Sequence, residues 1–320
     1  MQSVIVSTNE AGQRLDKLLS KYLNLAGKSF LYKMMRKKNI TLNGKKCDGS
    51  EKLSQGDEIR LFLSDETIEK FSQVKVPRVS KISLDVIYED EHIILINKPA
   101  GMLSQKAKDS DESLVEFLID YLLSKGELST EQLKSFRPAV CNRLDRNTSG
   151  LVVGGKSLAG LQVMSKVFKD RTIHKYYQCV VKGHVPRKQM ITGFLAKDEK
   201  TNQVTVRPSE FKDSVPISTE YLPLNYFGGY TLLKVTLITG RTHQIRAHLS
   251  SIGHPIVGDY KYGDKKVNDE ARRLYKVQSQ LLHSYQLVLP QLPEPLSYLS
   301  GKEFTAPLPP IYAAICREWR

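Results

Sequence analysis

One carboxylate stands between two guanidinium groups in the run Arg143-Leu144-Asp145-Arg146-Asn147-Thr148-Ser149-Gly150. The run is rich in turn formers and leads straight into apolar Leu151-Val152-Val153, the pattern of a loop feeding a strand. Core packing does not explain a carboxylate there. The arrangement reads as an anion-binding surface with one acidic group, Asp145, held ready for chemistry. Two further segments carry residues of the same kind. His174-Lys175-Tyr176-Tyr177-Gln178-Cys179-Val180-Val181-Lys182-Gly183 is a strand-like stretch in which Lys175, Tyr177, Cys179 and Val181 share a face. By spacing alone Tyr177 is an ordinary half-buried sheet tyrosine. Leu237 to His248 contains Thr239-Gly240-Arg241-Thr242-His243-Gln244-Ile245-Arg246, and Gly253-His254-Pro255-Ile256-Val257-Gly258-Asp259 follows. A helix from near Thr242 to Gly253 would put Ile245, Leu249 and Ile252 on an apolar face. Arg246 would lie at its edge in the first turns, able to reach a pocket.

Other chemistries fit less well. His243, His248 and His254 cluster in sequence but lack the His-Glu-x-x-His spacing of a zinc site, so no metal is expected. Gly150 to Ser157 satisfies the phosphate-loop pattern G-x-x-x-x-G-K-[ST]. In a true phosphate loop an apolar strand precedes the first glycine. Here polar turn formers precede it and the apolar run occupies the supposed loop, so no nucleotide cofactor is expected. Cys47, Cys141, Cys179 and Cys316 are far apart, which indicates neither a disulfide framework nor a zinc ribbon.

Together with Asn97-Lys98-Pro99-Ala100-Gly101, the three segments resemble the RluA-type family of ribosomal RNA pseudouridine synthases, over most of residues 82–320. The reaction such a resemblance implies detaches uracil from N1, rotates it and rejoins it to the ribose through C5. It is redox-neutral and needs no external energy, so neither cofactor nor metal is required. By the resemblance Asp145 is the catalytic carboxylate, a nucleophile at C1′ or a base at C2′. Charge in a closed pocket calls for a guanidinium partner, and the resemblance assigns that part to Arg246. It makes Tyr177 the residue that stacks on the target uracil or removes the C5 proton. A uracil inside folded RNA must be flipped out to react. Arg143 is then the wedge that fills its place, Arg146 and Lys98 hold the RNA backbone, and Lys175, Arg241 and His243 are expected to contact RNA. Asn142 and Gln105 depart from the histidines frequent in the family at these points. They leave open which uridine is chosen.

Positioning these residues needs a sheet. Leu84 to Tyr88 and Ile93 to Ile96 flank Asp90-Glu91-His92 as a hairpin, and Ile173–Val181 and Thr231–Ile238 read as strands. Helices are expected from Ser113 to about Lys125 and from Ser157 to about Arg171, the second with a serine cap and Leu161, Met164 and Phe168 on one face. Ahead of them lies a smaller unit. Leu15, Leu18, Leu19 and Tyr22 recur at helical spacing, and a basic helix follows from about Ser29. Ile40-Thr41-Leu42 is a short strand, Asn43-Gly44 and Gln55-Gly56-Asp57 are turns, and Glu58 to Leu63 is a second strand. Arg14-Leu15-Asp16-Lys17-Leu18, Leu42-Asn43-Gly44 and Gly56-Asp57 resemble the RNA-binding domain named after the fourth protein of the small ribosomal subunit. Asn39 stands where that family often has glycine and is read as its left-handed substitute. The expected organisation is an RNA-binding domain over residues 1–70, a linker over 71–81 within a polar stretch that begins near Ser64, and a catalytic domain over 82–320. The fold class is α+β, with a mixed, mainly antiparallel catalytic sheet flanked by helices.

Charge supports an RNA partner. The chain of 320 residues carries a net +14 and a pI near 9.4, which favours polyanions. Arg14, Lys17, Lys21, Lys28, Lys33, Arg36, Lys37, Lys38, Lys45 and Lys46 face a single acid, Asp16, in that stretch. Arg14, Lys17, Arg36, Lys37 and Lys38 are the expected RNA contacts of the small domain. No signal peptide or membrane span is expected, and a cytoplasmic monomer acting on ribosomal RNA or a pre-ribosomal particle is the reading. The rival is a binding module: a ribosome-assembly factor with this fold and no catalysis. An RNA methyltransferase would need a glycine-rich cofactor loop after a strand, and the glycine-rich candidate has the wrong order.

Overall fold

Ile93-Ile94-Leu95-Ile96 and Leu151-Val152-Val153 have no polar face, so strands made from them must be covered on both sides. The computed structural model, which describes residues 1–74, 76, 77, 79 and 83–318, has that layered form. Its N-terminal part contains β1 (Gln2–Ile5), α1 (Leu15–Tyr22), α2 (Lys28–Arg36), β2 (Ile40–Leu42), β3 (Lys45–Lys46), β4 (Glu58–Leu61) and α3 (Asp65–Phe71). The strands form a sheet in the order β1-β4-β2-β3. Leu15, Leu18 and Leu19 of α1 meet Leu31 and Met35 of α2, with Ile40, Ile59 and Leu61 beneath. That core leaves the basic side chains outside: Lys17, Arg36, Lys37 and Lys38 are exposed.

Two expectations change here, and one strand is new. The left-handed residue after α2 is Lys38, at φ 60°, and not Asn39. The turn ends the helix one residue earlier, and the Asn39 N–H closes it by donating to the Met34 carbonyl. The polar stretch from Ser64 is not all linker, because residues 65–71 form α3. Ser64 caps it by accepting from the Thr67 N–H, Asp65 and Glu66 favour its first turn, Ile68 is buried and Phe71 stacks on Phe30 at 4.7 Å. Strand β1 was not read at all; it pairs with β4. Of the expected linker, Lys75, Arg78, Ser80 and Lys81 lie outside the described residues, as does Ile82, the expected start of the catalytic domain.

The larger part runs β5 (Val86–Glu89), β6 (Ile93–Lys98), α4 (Leu114–Ser124), β7 (Ala139–Val140), β8 (Ser149–Gly155), α5 (Leu158–Asp170), β9 (His174–Lys182), β10 (Gln189–Asp198), β11 (Gln203–Arg207), β12 (Val215–Phe227), β13 (Tyr230–Leu237), α6 (Gln244–Ser251), α7 (Lys265–Tyr275), β14 (Leu282–Val288), β15 (Glu303–Thr305) and α8 (Pro310–Glu318). Its sheet has the order β11-β10-β12-β13-β9-β14-β8-β6-β5, with β15 on β14 and β7 on β8. The β14–β8 pair is parallel and the other named pairs are antiparallel. Alternation assigns the faces. Ile94, Ile96, Val152, Tyr177, Cys179 and Val235 pack with α4 and α6. Ile93, Leu95, Leu151 and Val153 pack with α5, and Val180 packs with α7 and α8. No helix among the described residues is long and apolar enough to cross a membrane.

The phosphate-loop look-alike is this sheet's interior. Residues Ser149–Gly155 are extended and buried throughout. A Cβ at Gly154 would meet Leu118 of α4, and one at Gly155 would meet Leu161 of α5, so these glycines let helices approach both faces. Lys156 pairs with Glu89 at 2.7 Å. Gly150 is under a stronger constraint: φ is +112° and a Cβ would stand 2.1 Å from the Ser284 carbonyl oxygen. Gly150→Ala should therefore force β8 and β14 apart and cost on the order of 3 kcal/mol or more. Urea unfolding checks this, and an unchanged midpoint would refute it.

The two parts touch away from Asp145. Ser135 donates to the Glu10 carboxylate, and the Asn9 side chain accepts the Leu158 N–H at 2.6 Å, at the start of α5.

Candidate active site

Asp145 lies in the loop that enters β8. Two elements hold that loop from below. Ser104 accepts the Leu144 N–H at 3.0 Å and donates to the Leu144 carbonyl at 2.9 Å. The Thr148 N–H closes the turn on the Asp145 carbonyl. Lys98 completes the support and corrects its expected role. It is fully buried, and its ammonium donates to the carbonyls of Pro99 (2.9 Å), Met102 (2.8 Å) and Arg146 (3.1 Å). Three acceptors use its three protons, so it ties one loop to another and does not contact an RNA backbone. Burial pushes this ammonium down to about 7, against the opposing pull of Asp145. A lysine after a strand reads as surface; these partners exist only because the chain doubles back.

Arg246 sits on the first turn of α6. The loop before α6 is fixed by Gln244, which accepts from the Arg241 N–H (3.1 Å) and the Thr239 hydroxyl (2.9 Å) and donates to the Ser218 carbonyl (3.0 Å). Ile245 and Leu249 are buried as expected, but Ile252 is 37% exposed; the helix stops at Ser251, before Ile252 could turn inward. The Arg246 guanidinium spans two carboxylates. Nη1 donates to Asp145 Oδ2 at 2.9 Å, Nε to Asp259 Oδ2 at 2.7 Å and Nη2 to Asp259 Oδ1 at 2.9 Å. Its face lies 5.1 Å from the Tyr262 ring. Asp259 is wholly buried and also accepts the Lys261 and Tyr262 N–H groups. Burial works to raise this carboxyl; the guanidinium and the two N–H groups outweigh it and hold it below the usual range. The second carboxylate was not read as a site residue, although it closes the Gly253–Asp259 motif.

Asp145 and Arg246 line one cleft of about 1100 Å³, with Asp259 buried behind it. Asp145, Tyr177 and Arg246 meet there, with Arg143, Arg146, Lys175, Arg241 and His243 around them. Arg143, Arg146 and Arg241 are exposed; Lys175 is buried. Tyr177 reaches the cleft from the centre of β9, and burial pushes its phenol up to about 12. Asn142 is turned into the sheet: its side chain accepts the Val153 N–H at 2.8 Å and donates to the Leu151 carbonyl at 3.2 Å. Gln105 is at the exposed rim. Arg14, Lys17, Arg36, Lys37 and Lys38 are not in this cleft. They lie on the N-terminal part, where Arg14 is paired with Asp16 at 3.1 Å.

A mixed sheet holding a carboxylate–guanidinium pair in a basic cleft suits an enzyme that acts on a polyanion. Comparison makes the class definite. Residues 92–251 match the RNA pseudouridylate synthase family, and residues 13–59 match the S4 domain. The chain belongs to the RNA pseudouridylate synthase family and is an isomerase acting on RNA. It is 34% identical to an uncharacterised RNA pseudouridine synthase of Mycoplasma genitalium, over 90% of this chain and 89% of that one. It is 30% identical to the ribosomal large subunit pseudouridine synthase D of Escherichia coli K12, over 95% and 90% of the two chains. A human RNA pseudouridylate synthase domain containing protein (number 4 of its series) shares the fold, with a TM-score of 0.57 and 20% identity over 73% of this chain and 92% of that one.

Proposed function

We propose that this protein isomerises uridine to pseudouridine in large-subunit ribosomal RNA. Asp145 works at the ribose of an everted uridine and Arg246 holds it. The observation that carries the assignment is the 2.9 Å bond from Arg246 to Asp145 on the cleft floor. It delivers a charged oxygen to a half-covered position (the Asp145 side chain is 27% exposed) without leaving that charge unpaired. Tyr177 is the surface on which uracil stacks. Its raised phenol stays protonated at neutral pH, which favours stacking over removal of the C5 proton. Arg143 stands at the rim to fill the place of the flipped base, and Arg146 and Arg241 meet phosphates. The ribosomal substrate is supported by relatives such as the ribosomal large subunit pseudouridine synthase C of Vibrio cholerae. The cytoplasm, where ribosomes assemble, is the compartment. Asp145, Tyr177 and Arg246 belong to the same chain, so a monomer suffices for the reaction. The domain organisation we propose keeps residues 1–70 as the RNA-binding unit and 82–320 as the catalytic one.

A pseudouridine map of ribosomal RNA from cells with and without the protein tests this reading. One or more large-subunit positions should lose their modification. If none does, and purified protein forms no pseudouridine in that RNA, the assembly-factor reading stands instead.

The N-terminal domain supplies affinity. Replacing Arg36, Lys37 and Lys38 together by glutamine should weaken RNA binding and reduce the slope of log K against log salt by about 2 to 3, since each phosphate contact contributes roughly 0.7–0.9. Filter binding across a salt series measures it; an unaltered slope would remove these residues from the RNA interface.

A further inference from the structure

His243 precedes α6 with a left-handed backbone, φ 53° and ψ 16°. A non-glycine residue is kept there when its surroundings over-determine it. Those surroundings aim its ring. The side chain is 9% exposed and Nε2 lies 3.9 Å from Asp145 Oδ2. Nδ1 lies 2.8 Å from the Tyr262 hydroxyl, with the two rings edge-on at 5.5 Å. The Tyr262 oxygen also accepts the Val204 N–H, at 3.0 Å. Among the described residues its own proton has one acceptor, His243 Nδ1. An imidazole that accepts at Nδ1 carries its proton on Nε2, the ring nitrogen that lies 3.9 Å from the carboxylate. Burial keeps the ring neutral by pushing its pKa down; Asp145 opposes this and Arg246 and Lys261 reinforce it.

The two oxygens of Asp145 are not equivalent. Arg246 Nη1 bonds Oδ2, and His243 approaches the same atom. Oδ1 has no protein donor among the described residues. We propose that His243 is a positioning residue: with Arg246 it anchors Oδ2, so that Oδ1 is the oxygen presented to the ribose, and Tyr262 sets its tautomer. The inference rests on Asp145 being the reacting carboxylate. The 3.9 Å separation is about 1 Å beyond a hydrogen bond, and the proposal requires it to shorten when the nucleotide fills the cleft.

Single-turnover release of tritium from C5 of uridine tests this. The substrate is total RNA, labelled at that position, from cells lacking the protein, with enzyme in excess. His243→Leu should slow the reaction roughly 30-fold while RNA affinity stays within about threefold. His243→Gln, whose amide places an N–H near the Nε2 position, should recover to within about fivefold of wild type. Tyr262→Phe keeps the ring over Arg246 but frees the tautomer, and should lose about fivefold. Full rate with weakened RNA affinity in His243→Leu would make His243 an RNA contact and overturn the proposal. So would a His243→Gln variant that is folded yet as slow as His243→Leu. Should His243→Leu fail to fold, full rate in Tyr262→Phe overturns the tautomer argument and with it the proposal. Asp145→Asn runs beside them: activity in that variant removes the assignment of Asp145 itself, an outcome separate from any result at His243.

Discussion

Asp145→Asn is expected to lower pseudouridine formation by on the order of 10⁴-fold or more, while RNA affinity and melting temperature change little. The substitution is nearly isosteric. The amide oxygen can still accept the Arg246 Nη1 proton, which now comes from 2.9 Å away. The loop is fixed independently by Ser104 and Lys98, so the backbone has no reason to move. What is lost is the negative charge. A carboxamide neither attacks C1′ nor takes a proton from C2′, and the alternatives in the cleft are cationic, protonated like Tyr177 or, like the neutral His243, already engaged by a hydrogen bond at the free ring nitrogen. Tritium release from labelled RNA measures the effect. A folded Asp145→Asn enzyme that retained more than about one per cent of the rate would put the chemistry elsewhere.

Arg246→Met has the second large effect, and it reaches beyond the reaction. Removing the guanidinium leaves Asp145 partly exposed, but it leaves Asp259 buried, charged and held by two backbone N–H groups. Breaking such a pair from one side costs about 3–5 kcal/mol, a fall in melting temperature on the order of 10 °C for a domain of this size. Activity should vanish as well. A second substitution separates the two losses. Arg246→Met with Asp259→Asn removes the stranded charge, so stability should largely return while activity stays absent, because Asp145 still lacks its partner. Arg246→Lys should fall between, since one ammonium cannot span both carboxylates. A single Arg246→Met variant that melts with the wild type would contradict this account.

Strand order and chemistry were legible to different depths. The hairpin of β5 and β6, the capped helix α5 and strands β9 and β13 follow from alternation, a serine cap and turn formers, which act over a few residues. Asp145 and Arg246 lie 101 positions apart. No local rule joins them; the resemblance of long motifs did. Partners that depend on the chain returning to itself were invisible. Lys98 looks like a surface cation until Arg146 folds over it, and Asp259 looks like a turn residue until α6 brings Arg246 to it. The Asn39 reading failed for a smaller reason: the left-handed residue shifted by one to Lys38, a choice made by where α2 runs out of core to cover. Helix α3 was masked by its polarity, though Ser64 and the acidic first turn marked its start.

The contact of Asn9 with Leu158 sets a dimension. It lies past the end of β8, whereas Asp145 lies before its beginning, and the seven residues between measure about 20 Å along an extended backbone. The N-terminal part is thus moored one full strand away from Asp145. On this layout any change in how the two parts sit must first break the Asn9 and Glu10 contacts at that far end.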